Sequence, residues 1–192
     1  MNESKKFSIS FNSPVILGFT LICFATLLLS WLTKGATNNW LFSVYHSSLA
    51  NPLTYVRFIG HVFGHANWSH FIGNIMMILI VGPLLEEKYG YIDMLFVILA
   101  TALVTGLANY FFFPQYRVLG ASGVVFALIL LSSITSFKDG SIPLTFILVA
   151  ALYIGGEVYS ALFVTDNVSN FSHIVGGLVG ASLVFIGNSK EK

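Results

Sequence analysis

The sequence predicts an all-α, polytopic membrane protein built as a bundle of six transmembrane helices, and three observations predict it. First, 56% of the 192 residues are hydrophobic and only 9% are charged, with a mean hydropathy of +0.82. A soluble domain carries about 25% charged residues, so this chain lacks the polar surface to face water on all sides, and the lipid bilayer is the solvent that suits it. Second, apolar runs long enough to cross about 30 Å of hydrocarbon recur along the chain. Third, turn residues and charges separate those runs.

The spans read, in order, 14–32, 68–87, 91–113, 120–137, 142–164 and 171–187. Each must be helical, because hydrocarbon offers no partner to an open backbone amide. The first lacks a small-residue cleavage pattern and is followed by further runs, so it reads as a span rather than a removable leader. The breaks carry turn chemistry at Lys88-Tyr89-Gly90, Pro114-Gln115-Tyr116-Arg117, Lys138-Asp139-Gly140 and Thr165-Asp166-Asn167. The length suggests one domain: an N-terminal segment 1–13, a membrane domain 14–187 and a tail 188–192. The long connection 33–67 holds Trp40, Phe42, Tyr45, Tyr55 and Phe58 among polar residues. It is expected to be ordered and to lie in the membrane interface.

Counting basic residues orients the bundle. With the N-terminus inside, the cytoplasmic segments hold Lys5, Lys6, Lys88, Lys138, Lys190 and Lys192, and the outer segments hold Lys34, Arg57 and Arg117. The excess favours both termini in the cytoplasm; a prokaryotic plasma membrane is the expected location. A net charge of +1 gives no reason to propose nucleic acid as a partner. The single cysteine, Cys23, excludes an intrachain disulfide framework and reads as a small apolar residue within a span.

Polar residues inside spans are costly and mark function. His70 and Asn74 open the second span four residues apart, on one helix face. Ser122 opens the fourth and His173 the sixth. Even-numbered spans enter from the same side, so all four residues share one layer near the outer ends of their helices. Small residues recur at four-residue spacing as Gly123 and Ala127 on the fourth span and as Gly176 and Gly180 on the sixth. Such pairs let helix backbones approach closely, which carries Ser122 towards His173, with Phe126 placed to pack on the imidazole.

These groups suit acyl transfer. A serine hydroxyl becomes a competent nucleophile when a neighbouring base accepts its proton, and a neutral imidazole fills that role. The oxyanion that follows needs preorganised donors, for which His70, Asn74 and the Ser122 backbone N–H are at hand. No acidic residue falls in this layer near His173, so the expectation is a Ser–His dyad. Neither a metal nor a cofactor is expected. His61-Val62-Phe63-Gly64-His65 has a histidine pair at metal-ligand spacing but lacks the glutamate of HExxH, and Asp93, Asp139 and Asp166 stand at span ends, unsuited to an aspartyl membrane protease. No inverted repeat supports a transporter.

At these residues the chain resembles the rhomboid family of intramembrane serine proteases. Arg57-Phe58-Ile59-Gly60-His61-Val62-Phe63-Gly64-His65 followed by Asn67-Trp68-Ser69-His70-Phe71-Ile72-Gly73-Asn74 resembles the family's histidine-rich approach to its second helix. The block from Gly82-Pro83 through Glu86-Glu87-Lys88-Tyr89-Gly90 resembles the end of that helix. Gly120-Ala121-Ser122-Gly123 matches the nucleophile motif GxSG, and His173-Ile174-Val175-Gly176-Gly177-Leu178-Val179-Gly180 matches the base-bearing helix. The likeness covers 57–180. It departs from the family at Phe126, where tyrosine is frequent, at Val56-Arg57, where Trp-Arg is frequent, and at Ser172, where alanine is common.

The resemblance implies a six-helix rhomboid bundle that cleaves transmembrane segments of other membrane proteins, single-span ones foremost, near the outer leaflet. It implies Ser122 as nucleophile, His173 as general base, and His70 with Asn74 as oxyanion donors, with water reaching the site from outside and substrate entering past the fifth helix. A proteolytically inactive relative that binds membrane clients is the alternative function. His61, His65 and Glu86 are expected to be structural hydrogen-bonders. Glu157, inside the fifth span, is either protonated or faces the aqueous cavity. Oligomeric state and substrate identity are not legible.

Overall fold

A computed structural model describes residues 11–134, 144, 147–148, 151–152, 155, 173–179 and 182. Six α-helices are described there: α1 (Pro14–Leu32), α2 (Ala36–Trp40), α3 (Pro52–Gly60), α4 (Trp68–Tyr89), α5 (Tyr91–Phe112) and α6 (Ser122–Ile134). A single 3-10 turn (His61–Phe63) joins α3 to the approach of α4. Residues 173–179 are also helical. The only pairing of extended backbone among the described residues is one antiparallel bridge between Val44 and Val118. The described chain is therefore all-helical, as the sequence predicts.

Three of these helices, α1, α4 and α5, are long and apolar enough to cross a membrane, and α6 is a shorter apolar helix. The first predicted span coincides with α1. The second runs two residues past its expected end, to Tyr89, where Gly90 at φ +84° stops it. The fourth begins at Ser122 rather than at Gly120, because Gly120 takes φ +133°, a backbone setting that no helix contains. The fifth predicted span, Glu157 within it, lies almost wholly outside the described residues, as do Gly180, both termini and most of the sixth span.

Lipid removes the hydrophobic drive between helices, so close backbone approach and internal hydrogen bonds hold such a bundle together. Glu86 near the end of α4 supplies one such bond set. Its carboxylate accepts the Val15 and Ile16 N–H groups, each at 2.9 Å, and so caps the first turn of α1 in place of Ser13, whose side chain makes no cap bond. That structural reading of Glu86 holds. Around this tie, Ile16, Cys23 and Leu27 of α1 pack with Ile75, Ile78 and Leu85 of α4, Met94 and Ile98 of α5, and Val124 and Leu128 of α6.

The connection 33–67 is ordered, as its aromatics suggested: it folds into α2, α3 and the 3-10 turn. Its inner side is polar and bonded. Asn38 Nδ2 donates to the His65 carbonyl at 2.9 Å, Thr54 donates to the Ser48 carbonyl at 2.8 Å, and Tyr110 of α5 donates to the Ser47 carbonyl at 2.6 Å. Its outer side exposes Trp40, Leu49, Tyr55 and Val56. On α5, Gly106 lets the α3 backbone sit directly against it, for a Cβ there would lie 2.4 Å from the Phe58 carbonyl oxygen.

Candidate active site

Four elements converge at the end of the bundle where α4 and α6 begin. Asn67 fixes the start of α4, its Oδ1 accepting the His70 N–H at 2.9 Å. This N-cap sets the first turn and so directs His70 and, one turn later, Asn74 inward along a common face. His70 is half-buried; Asn74 is buried, and its Nδ2 has no hydrogen-bond partner among the described residues.

Both side chains face the backbone that leads into Ser122. A Cβ on Gly120 would lie 2.7 Å from His70 Cε1, 2.8 Å from His70 Nε2 and 3.9 Å from Asn74 Nδ2. Glycine is thus required at position 120 twice over, by its φ and by the imidazole beside it. The Gly120 N–H donates to the His61 carbonyl at 2.9 Å, which anchors this strand of chain to the 3-10 turn. Ser122, half-buried, then opens α6. Its own N–H falls in the first turn, where helix amides have no internal acceptor and the helix dipole is positive.

The helical residues 173–179 lie against α6 with almost no side chain between the two backbones. A Cβ on Gly176 would sit 2.4 Å from the Gly123 carbonyl oxygen and 2.9 Å from its Cα. The next residue, Gly177, abuts the Leu130 side chain, at 2.7 Å by the same measure. The His173 ring is stacked on Phe126, centroids 4.5 Å apart and planes 10° from parallel. Ser122 and Phe126 are four residues apart on one helix and therefore project from the same face. The structure thus brings Phe126 to His173, Gly123 to Gly176, and both His70 and Asn74 to Gly120.

His61 and His65 support this layer. The His61 ring is buried between the Arg57 carbonyl (3.2 Å from Nδ1) and the Thr105 hydroxyl of α5 (3.3 Å from Nε2). His65 is fully buried, with Nδ1 3.2 Å from the Phe63 carbonyl, and meets the His70 ring edge-on at 5.2 Å. Burial holds both imidazoles neutral, pushing each down to about 4; for His65 the neighbouring His70 adds to the effect. Among the described residues no three histidine, cysteine or acidic side chains are grouped to hold a metal ion. The contribution of His61 to the Gly120 strand runs through a backbone carbonyl, which residue type alone does not announce.

An apolar helical bundle with a buried polar layer at one end defines the class, an integral membrane protein. The Rhomboid domain profile matches residues 52–190. The chain belongs to the rhomboid family. It is 34% identical over 156 residues to Rhomboid-related protein 2 of Mus musculus, covering 70% of this chain and 51% of that one. To Rhomboid-like protein 11, chloroplastic, of Arabidopsis thaliana it is 26% identical over 158 residues, covering 74% and 55%. To the rhomboid protease GlpG of Yersinia pestis it is 25% identical over 177 residues, covering 90% and 62%. The chain therefore spans between half and two thirds of the length of these relatives.

Proposed function

We propose that the chain is an intramembrane serine endopeptidase that cuts transmembrane segments by a Ser122–His173 dyad. One observation carries the reading: the Gly123–Gly176 backbone contact sets the helix bearing His173 directly against α6, with Phe126 stacked on the imidazole one turn from Ser122. In this reading the Ser122 hydroxyl lies within reach of the imidazole. Membership of a family that includes the protease of Yersinia pestis supports the same chemistry.

The reaction proceeds in two acyl transfers. The Ser122 Oγ attacks the scissile carbonyl as His173 takes its proton. The tetrahedral oxyanion is held by the Ser122 N–H, by the open Nδ2 donor of Asn74 and by His70. Removal of one such donor costs a factor of about 100 to 1,000 in rate. Collapse of the intermediate breaks the C–N bond, and His173 passes its proton to the departing amine. Water, deprotonated by the same imidazole, then attacks the acyl-serine ester and releases the enzyme. Phe126 keeps the stacking surface for the ring without the hydroxyl of a tyrosine.

The same reading places both termini in the cytoplasm of a prokaryotic cell and the reacting layer beneath the outer leaflet, with single-span membrane proteins as substrates entering past the fifth helix. Labelling by a serine-directed fluorophosphonate tests the nucleophile: wild type labels, and Ser122→Ala and His173→Ala do not. Co-expression with a panel of tagged single-span proteins tests the activity, with Ser122→Ala as the blank. Equal labelling of Ser122→Ala and wild type overturns the dyad; labelling without cleavage of any panel member favours a client-binding role.

A further inference from the structure

The same end of the bundle carries a second polar feature that the proposed reaction does not use. Arg57 of α3 is 4% exposed. Its Nε–H donates to the Trp40 carbonyl at 2.8 Å and an Nη–H donates to the Ser47 hydroxyl at 3.3 Å. Both acceptors are neutral. Its guanidinium carbon lies 4.5 Å from the centroid of the Tyr45 ring. Arg117, exposed on the segment between α5 and α6, lies 4.3 Å from the same centroid and donates to the Asn39 side chain. The two guanidinium carbons are therefore within about 9 Å of each other.

All the acids among the described residues, Glu86, Glu87 and Asp93, stand at the opposite end, around the α4–α5 turn, and Glu86 is occupied by the α1 amides. Two cations, one of them almost wholly removed from water, thus share one ring with no carboxylate among the described residues beside them; Asp166, which the predicted topology also puts on the outer side, lies outside those residues. Desolvated charge of this kind calls for an external anion. The guanidinium fork suits phosphate oxygens, which it contacts through two N–H groups at once.

The surroundings say which anion. Trp40 (63% exposed), Tyr55 (55%), Leu49 (50%) and Val56 (48%) form the outward side of the same loop. Exposed aromatic and aliphatic side chains in a membrane protein belong at headgroup depth, where lipid phosphates are held at high local concentration. We infer that Arg57 and Arg117, joined through Tyr45, bind the headgroup phosphate of an anionic phospholipid. The lipid tethers α3 to the α5–α6 segment, the two stretches of chain that lead into the His61 and Gly120 anchor.

The test reads binding rather than cleavage, so it stands whether or not the dyad does. Purified full-length chain in neutral detergent is titrated with short-chain phosphatidylglycerol, short-chain phosphatidylcholine and inorganic phosphate, and occupancy is followed by native mass spectrometry and thermal unfolding. Phosphatidylglycerol is expected to bind about tenfold or more tighter than phosphatidylcholine, a preference that shrinks in about 0.5 M salt. Arg117→Gln, at an exposed position, should fold and lose the preference; Lys88→Gln, at the other end of α4, should keep it. Equal binding of the two lipids, or a preference intact in Arg117→Gln, overturns the inference. So does protection by inorganic phosphate at the same concentrations as the lipid, which would make this a free-anion site.

Discussion

The imidazole of His173 lies flat against the Phe126 ring, 4.5 Å between centroids and 10° from parallel. A stacked neighbour fixes ring orientation without contributing a proton, so in the proposed dyad it governs how often the imidazole points at Ser122. Phe126→Ala should cut fluorophosphonate labelling of Ser122 by about tenfold, the equivalent of about 1.4 kcal/mol, within the usual range for an aromatic pair. Phe126→Tyr should label as wild type does. Labelling rates of the three proteins at matched folding check this; an Ala variant as fast as wild type removes the stack from the mechanism.

The contact of Gly176 with Gly123 leaves no room for one carbon. Because the atoms met are backbone, at 2.4 and 2.9 Å, relief requires the two helices to move apart. Gly176→Ala should destabilise the fold by about 1–3 kcal/mol and lower labelling of Ser122 further than the loss of folded protein explains. Midpoints of unfolding in mixed micelles, measured beside labelling per folded molecule, separate the two effects.

Sequence reading reached the helices whose apolar length is unmistakable, and α1 fell where its run of residues put it. It also identified Glu86 as a structural hydrogen-bonder, because a carboxylate at a span end has few other stable fates. It reached less far where backbone geometry decides. The fourth span looked continuous from Gly120, since glycine is tolerated by composition, yet Gly120 adopts φ +133° and the helix waits for Ser122. The bond from Gly120 N–H to the His61 carbonyl is invisible for the same reason, because every residue has a carbonyl. The first loop could be read as ordered from its aromatics, but its fold into α2, α3 and a 3-10 turn depends on tertiary bonds such as Asn38 to His65.

Glu86 ties the end of α4 to the start of α1 through two charge-assisted bonds of 2.9 Å, and its side chain is only 4% exposed. Glu86→Ala leaves two helix-start amides without acceptors and should cost about 3 kcal/mol or more; Glu86→Gln, which keeps one acceptor oxygen, should lose about half of that. Unfolding midpoints rank the variants. Wild-type stability in Glu86→Ala would mean that water or lipid caps α1 equally well.

His61 and His65 lie in the first loop, neutral and buried, and both are lowered from 6.5 to about 4 by that burial. Above pH 6.5 neither the folded nor the unfolded chain holds these protons, and the two histidines leave stability independent of pH. Between 6.5 and 4 the unfolded chain binds protons that the folded chain refuses, so stability falls as the pH falls. Below about 4 the folded imidazoles charge as well, and this contribution levels off. The charge would then sit beside the Arg57 carbonyl and Thr105 at His61, and beside the His70 ring at His65. Unfolding midpoints between pH 7 and pH 4.5 should therefore decline in the wild type. The decline should be shallower in His61→Gln and in His65→Gln, each of which removes one of the two protons taken up, at the cost of a lower midpoint at pH 7. Parallel pH profiles for wild type and both variants would show that the acid sensitivity arises elsewhere in the bundle.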